Sequence, residues 1–245
     1  MPNAAPPPTS LAAVRRDVRA LADPAAATHA LRFFRTGPGE YGEGDRFLGL
    51  TVPKIRTLVR RHAALPRDAV LTLLRSEWHE ERLLALLLLV HAYERGDTAT
   101  RAAITRDYLA HTAHVNNWDL VDASAGTLLG ASVAAGDLRR LDRLARSPSL
   151  WERRIAMVAT FHHTKAGDVA PALYVAERLL GDRHDLIHKA VGWMLREAGK
   201  RDRAALEAFL DAHYDRLPRT TLRYAIERFP EAERRAYLAR RAQSR

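Results

Sequence analysis

The segment NNWDLVD, which begins at Asn116, places an aromatic ring beside a carboxylate. On a helix, Trp118 and Asp122 lie four residues apart and are neighbours on one face. Asn116 or Asn117 can cap this helix, whereas Asp119 points elsewhere and favours the positive end of the helix dipole. The pair can form a binding surface, or it can be a core tryptophan next to a solvated charge. The pattern leaves both interpretations open.

Basic residues accompany another tryptophan. Arg153 and Arg154 follow Trp151 and lead into an apolar run. Such a pair at a helix start is commonly solvated, but arginine also binds phosphate in a bidentate manner. The chain carries 39 Lys and Arg against 29 Asp and Glu, a formal net charge of +10. This excess favours a polyanionic partner such as nucleic acid, although an arginine-rich composition can also reflect genome base composition.

A third segment, IHKAVGWMLRE, sets Gly192 next to Trp193. The glycine leaves a spot free of side chain beside the indole ring, and His188, Lys189 and Arg196 place positive charge around it. This composition predicts a groove wall rather than a core helix.

Composition excludes several classes of protein. The chain has no cysteine, which removes disulfide scaffolds, cysteine-ligated metal sites and thiol nucleophiles. The longest apolar run, residues 83–90, is far shorter than the roughly 20 residues of a membrane-spanning helix. Residues 1–8 lack the features of a signal peptide. We therefore expect a globular protein of the cytoplasm with no membrane partner.

Familiar catalytic and ligand-binding motifs are also missing from the sequence. The glycine-rich loop 37–49 lacks the GK[ST] ending of a phosphate-binding loop, and Glu40, Glu43 and Asp45 would repel a phosphate. The histidines include no HExxH pair, and the serines no GxSxG turn. We expect no metal site, and surface or groove positions for the histidines.

Helices must position these segments, because strand signals are nearly absent and helix-forming residues dominate. Thr9 or Ser10 predicts the cap of a first helix, and Thr51 the cap of another. Glycine followed by aspartate recurs at predicted helix ends, as expected where a left-handed glycine ends one helix and aspartate caps the next. The break points predict about a dozen helices of roughly 10–18 residues, with residues 83–90 in a fully buried helix.

The four tryptophans recur at an interval close to the length of a HEAT or armadillo helix pair. Together with the break points between successive helices, this interval predicts an all-α fold. We expect a HEAT-like α-solenoid of paired antiparallel helices with a basic concave groove. No boundary divides the rest of the chain, so we predict a flexible tail over residues 1–8 and a single domain over residues 9–245.

Four blocks in order resemble the DNA alkylation repair family of the AlkD type, the HEAT-like-repeat alkylpurine DNA glycosylases. They are YGEGDRFLG with the following VP (residues 41–53), WDLVD (118–122), WERRIA (151–156) and KAVGWMLRE (189–197). The resemblance covers most of the chain. No single block is specific, but the ordered set is hard to obtain by accident.

The resemblance implies roles for individual residues. Trp118 matches the first groove tryptophan, Asp122 the catalytic carboxylate, Arg154 the arginine that contacts the DNA backbone, and Trp193 the second groove tryptophan. Lys189, in the last block, is a further expected DNA contact.

The resemblance also implies the partner and the reaction. The expected partner is double-stranded DNA containing N3- or N7-alkylated purines, which the enzyme would excise as a monomer in the nucleoid, without cofactor, metal or base flipping. The alkylated base already carries positive charge and leaves as a neutral molecule, so no general acid is needed. The alternative is a non-catalytic HEAT-like protein that binds distorted or branched DNA; a protein–protein scaffold is disfavoured by the charge.

Overall fold

A computed structural model describes residues 10–134 and 136–243, with side chains as far as Arg240. The predicted tail over residues 1–8 lies outside the described residues. Within them the secondary structure is helical, and the only pairing of extended backbone is an isolated parallel bridge between Arg46 and Trp78. The prediction of an all-α fold is confirmed. None of the helices described is long and apolar enough to cross a membrane.

The chain forms two compact units, and the first ends at Ser124. A 3-10 turn at Thr112–His114 precedes the last of its helices, and the division between the units falls inside that helix. The helices are α1 (Leu11–Ala20), α2 (Pro24–Phe33), α3 (Val52–Arg61), α4 (Arg67–Leu74), α5 (His79–Arg95), α6 (Thr98–Ala110) and α7 (Trp118–Leu128).

The second unit begins at Ala125. It also contains 3-10 turns at Gly130–Ser132 and Tyr214–Arg216. Its helices are α8 (Arg139–Ala145), α9 (Leu150–Ala159), α10 (Phe161–Lys165), α11 (Ala170–Leu179), α12 (Asp185–Gly199), α13 (Arg203–His213), α14 (Arg219–Ala225) and α15 (Glu231–Gln243). The single domain over residues 9–245 and the solenoid with its concave groove stay predictions.

Several helices begin at capping side chains, as the sequence predicts. The hydroxyl of Ser10 accepts the N–H of Ala13 and caps α1. Aspartate caps α2, α6 and α13 through Asp23, Asp97 and Asp202. Thr51 precedes α3 as expected, but its side chain makes no capping hydrogen bond among the described residues.

Two details of the predicted helices are wrong. A left-handed glycine is found at Gly136 and Gly167, but Gly96 has φ −75° and Gly181 has no positive φ. Several helices are also shorter than predicted; α10 has 5 residues. It abuts α9 at Thr160, whose hydroxyl donates to the carbonyl of Met157 at 2.7 Å and so competes with the backbone helix bonds.

Helix α5 is the centre of the first unit, where α3, α4 and α6 pack against it. All residues of 83–90 are buried except Leu87 and Val90, which are half-buried. The predicted buried helix is therefore confirmed in its main part. Its polar first turn, residues 79–82, is buried as well, and this turn builds the site described below.

In the second unit α12 packs against α14, and Gly192 makes this contact possible. A Cβ at position 192 would lie 2.5 Å from Cβ of Tyr224 and 2.6 Å from the carbonyl oxygen of Thr221. The spot beside Trp193 is therefore filled by α14. The prediction that Gly192 opens a groove wall is wrong, because the glycine serves helix packing instead.

Replacing Gly192 by alanine should force the two helices apart. We expect Gly192→Ala to lower the free energy of unfolding by about 1–3 kcal/mol, the usual cost of overpacking, measured by urea denaturation. The matched control is Gly126→Ala in α7, where the nearest contact of a new Cβ is the Val158 carbonyl oxygen at 4.0 Å. Alanine there should stabilise by up to about 1 kcal/mol. Equal unfolding midpoints for the two variants would contradict this packing argument.

Candidate functional site

Helix α7 begins at Trp118, and the buried Asn117 holds its first residue in place. The side-chain oxygen of Asn117 accepts the N–H of Trp118 at 2.8 Å. Asn117 also donates through Nδ2 to Oδ2 of Asp45 at 3.2 Å. Asn117 therefore ties the start of α7 to the glycine-rich loop, while its bond to the directly following residue is not the N2 or N3 contact of a capping side chain.

Trp118 lies at the end of a stack of aromatic rings. The ring of Phe34 stacks on Trp118 with 5.4 Å between centroids, and on Phe47 with 4.9 Å. Phe33 meets Trp118 edge-on at 5.8 Å. Trp118 is half-buried, so it is neither a core residue nor a free surface ring. One turn further along α7, Asp122 is also half-buried. Burial raises the pKa of the nearby Tyr108 hydroxyl, and the charge of Asp122 adds to that rise.

Beneath this stack, His79 lies between two carboxylates. Its Nδ1 is 2.8 Å from Oδ2 of Asp45, and its Nε2 is 2.8 Å from Oδ2 of Asp119. The side chain is 2% exposed. Burial opposes a positive charge on the ring, but the hydrogen bonds and charges of the two carboxylates outweigh it and raise the pKa of His79 to about 9. His79 is therefore an imidazolium at neutral pH.

The same cluster fixes the end of the loop. Arg82 donates to Oδ1 of Asp45 and to the carbonyl of Ser76. Burial would raise the pKa of Asp45, but the hydrogen bonds and charges of His79 and Arg82 outweigh burial and lower it. Asp45 is thus a buried anion with three partners, His79, Arg82 and Asn117.

Two neighbouring glutamates complete this polar turn of α5. Glu80 accepts the backbone N–H groups of Leu48, Gly49 and Leu50 at 2.7–3.1 Å. Glu81, whose side chain is 0% exposed, faces the guanidinium groups of two arginines of α1 at 3.3–3.4 Å. Each charge in this turn therefore has a specific partner, as burial demands.

In the second unit, Arg154 is buried and joins α9 to α12. Its Nη1 donates to the carbonyl of Leu186 in the first turn of α12 at 2.7 Å. Arg153, the other arginine of the pair, pairs with Asp182 at 2.6 Å. On α12, Nζ of Lys189 lies 2.7 Å from Asp185.

Trp193 and its basic neighbours are also engaged in local contacts. Trp193 is half-buried, and its ring lies 5.9 Å from Phe161. Nε2 of His188 lies 2.6 Å from the carbonyl oxygen of Asp182, and Arg196 pairs with Glu227. The basic side chains around Trp193 therefore have local partners.

The five predicted site residues divide between the units. Trp118 and Asp122 are brought together on α7, whereas Arg154, Lys189 and Trp193 belong to the second unit. That all five form one site stays a prediction.

Sequence reasoning missed the buried cluster of the first unit. It interpreted Asp45 as a loop charge and Asp119 as a helix-dipole residue. It also placed the histidines at the surface or in a groove, which is wrong for the buried His62, His79 and His163. A usable signal was the run HEER directly before the apolar residues 83–90. Charged residues that directly adjoin a fully buried segment are candidates for burial with specific partners.

Comparison with known proteins identifies relatives. A family model described as DNA alkylation repair enzyme matches residues 14–229. A solved structure described as "Predicted DNA alkylation repair enzyme from Enterococcus faecalis" superposes with a TM-score of 0.65 at 17% identity. The match covers 86% of this chain and 97% of the other, and at this identity it shows similarity of fold. None of the curated proteins compared with the chain matches it.

The charge on His79 makes stability depend on pH. Its pKa of about 9 lies above the ordinary 6.5, so its contribution is complete below pH 6.5 and is lost as the pH rises through about 9. The contribution is on the order of 3 kcal/mol. We expect the free energy of unfolding, measured with urea, to fall over this range in the wild type, and to fall much less in His79→Gln. The exposed His29→Gln should keep the wild-type slope. Equal slopes for wild type and His79→Gln would contradict the assignment.

Proposed function

Because the chain belongs to the DNA alkylation repair enzyme family, we propose that it is a DNA glycosylase. Its substrates are cationic N3- and N7-alkylated purines in duplex DNA, and it hydrolyses their N-glycosidic bond as a monomer and without flipping the base. The observation that carries the proposal is the pairing of Trp118 and Asp122 on one face of α7, with the indole ring held by Phe34.

The substrate determines how little catalytic machinery is required. A purine alkylated at N3 or N7 leaves as a neutral base, so the enzyme has to stabilise the oxocarbenium-like sugar and supply water. A carboxylate about 4 Å from that charge contributes roughly 4 kcal/mol at an effective dielectric constant near 20. This corresponds to about a thousandfold in rate. Half-buried Asp122 fills this role, either by its charge or by orienting water.

The tryptophans recognise the charge of the lesion. A cation over an indole face is stabilised by roughly 0.5–2 kcal/mol, which favours an alkylated base over a normal one. Trp118 is suited to this because the stack with Phe34 fixes its ring plane. Trp193 on α12 supplies the second face, and Arg154 and Lys189 contact the phosphates.

The assay for this function is release of free base from duplex DNA containing N7-methylguanine. We expect the wild type to release the base and leave abasic sites, and Asp122→Asn to be slower by about a thousandfold, since it removes the charge but keeps the shape. The matched control is Asp215→Asn, an exposed carboxylate of the second unit, which should retain the wild-type rate.

Two results would contradict the proposed glycosylase activity. One is wild-type protein that releases no base from any alkylated duplex; the other is undiminished release by Asp122→Asn. If instead distorted or branched DNA is bound tightly, and Asp122→Asn binds it equally well without excision, the non-catalytic DNA-binding function is the correct one.

Phosphate contacts should appear in the salt dependence of DNA binding. Each contact steepens the plot of log affinity against log salt by about one unit. We expect Lys189→Gln to reduce the slope by about one, measured by fluorescence anisotropy. Lys200→Gln is the matched control, because Lys200 follows α12 and is similarly exposed and paired, with Glu197 at 2.7 Å. An equal change of slope in both variants would refute a specific role for Lys189.

A further inference from the structure

A polar pocket of about 520 Å³ lies in the second unit, where residues of the 3-10 turn Gly130–Ser132 and of α8 line it. The lining residues that matter here are Ser132, Asp137, Arg139, Arg140 and Arg143. In the described part of the chain, none of the five predicted site residues lines this pocket. It is therefore a separate candidate site, and its charge determines what it can bind.

The pocket has an excess of positive charge. Three arginines line it against one carboxylate, that of Asp137. Nε and Nη2 of Arg139 donate to the two oxygens of Asp137 at 2.8 and 2.9 Å. Hydrogen bonds from Arg139, together with the charges of Arg139 and Arg140, lower the pKa of Asp137 to about 2. Asp137 and Arg139 thus form a closed ion pair, and two positive charges remain, those of Arg140 and Arg143.

Arg140 is held in place by a neutral partner. Its Nη1 donates to the hydroxyl of Ser132 at 3.2 Å, and that hydroxyl donates to the carbonyl of Leu129 at 2.7 Å. The turn that carries Ser132 is itself fixed, since a Cβ at Gly130 would lie 2.2 Å from the carbonyl oxygen of Ala159. A hydroxyl positions the guanidinium but does not neutralise it. The charge of Arg140 is therefore oriented and available to a ligand.

Arg143 has no structural reason to lie beside Arg140. The two residues are three apart on α8 and are neighbours on its surface, where like charges destabilise a helix. Arg143 is exposed, and it forms no ion pair with a carboxylate of the described residues. An anion bound between the two guanidinium groups would turn this repulsion into attraction.

We propose that this pocket binds a phosphomonoester dianion. A phosphomonoester carries about −1.5 to −2 charges at neutral pH, which matches the two charges of Arg140 and Arg143, whereas a backbone phosphodiester carries a single one. Guanidinium groups bind phosphate oxygens in a bidentate manner. The volume lies within the usual range for ligand pockets, so the pocket has room for a mononucleotide.

The phosphate group has two possible sources. It can belong to a free nucleotide, or it can be the terminal phosphate of a DNA strand. Both present the same dianionic group to Arg140 and Arg143, and neither depends on the excision of a base.

Binding is tested with isothermal titration calorimetry. We expect adenosine 5′-monophosphate to bind at least about tenfold more tightly than adenosine, and inorganic phosphate to compete with it. Arg143→Gln should weaken binding of the nucleotide by about 10–100-fold, the range of one hydrogen bond to a charged group. The matched control is Arg146→Gln, because Arg146 is also exposed, lies outside the lining and pairs with Asp142. It should bind as the wild type does.

A second variant acts in the opposite direction, so that a loss of folding cannot imitate it. Asp137→Asn removes the negative charge of the pocket and releases Arg139 from its ion pair. The affinity for the nucleotide should rise by at least about threefold, because a repulsive charge is removed. An unchanged or lower affinity in this variant would contradict the proposed charge balance.

Duplexes with and without a 5′-phosphate distinguish the sources by fluorescence anisotropy. Tighter binding of the phosphorylated duplex, lost in Arg143→Gln, identifies a strand end. Equal binding of the two duplexes together with selective binding of the nucleotide identifies a free ligand.

Three results would overturn the proposal. The first is equal affinity for the nucleotide and for adenosine. The second is unchanged affinity for the nucleotide in a folded Arg143→Gln variant. The third is an Arg143→Gln variant that weakens both duplexes equally while the nucleotide binds no better than adenosine, which would identify a contact with backbone phosphodiesters.

Discussion

The first unit depends on one buried interaction, the imidazolium of His79 between Asp45 and Asp119. These carboxylates belong to the loop and to α7, so one charged ring on α5 joins three segments that are distant in sequence. Burying ions is costly unless each has close partners, and Arg82 and Asn117 supply the remaining ones. Since Phe34 packs on His79 and on Trp118, this charge cluster also sets where the candidate recognition ring lies.

Backbone contacts also bind the end of the glycine-rich loop to the first turn of α5. Glu80 binds three successive N–H groups of residues 48–50. Gly49 has φ +84°, and a Cβ there would lie 2.1 Å from the carbonyl oxygen of Asp23 at the start of α2. Only glycine fits both the conformation and the contact. The end of the predicted glycine-rich loop is thus fixed against α2 and α5.

The sequence predicts those features whose causes are local. Ser10 and Asp97 cap the helices that follow them, and residues 83–90 are buried because they are apolar all round. It does not predict the pairing of His79 with Asp45 and Asp119, which lie 34 and 40 residues away. Pattern rules place charges at the surface, and a buried ion is stable only through partners that folding itself brings close. The role of Gly192 is mispredicted for the same reason, because that role is a contact with α14, which is distant in sequence.

Under the proposed function, Arg154 contacts a DNA phosphate from a fixed position and not as a mobile surface side chain. Arg154 is buried, and its guanidinium donates to a carbonyl of the first turn of α12, the helix that also carries Lys189 and Trp193. An arginine fixed in this way loses less conformational freedom when it meets a phosphate than a mobile surface side chain does. Its planar group also keeps one orientation relative to α12. The net charge of the chain attracts DNA from any direction, whereas a guanidinium fixed to the tryptophan-bearing helix couples the phosphate contact to the position of the base.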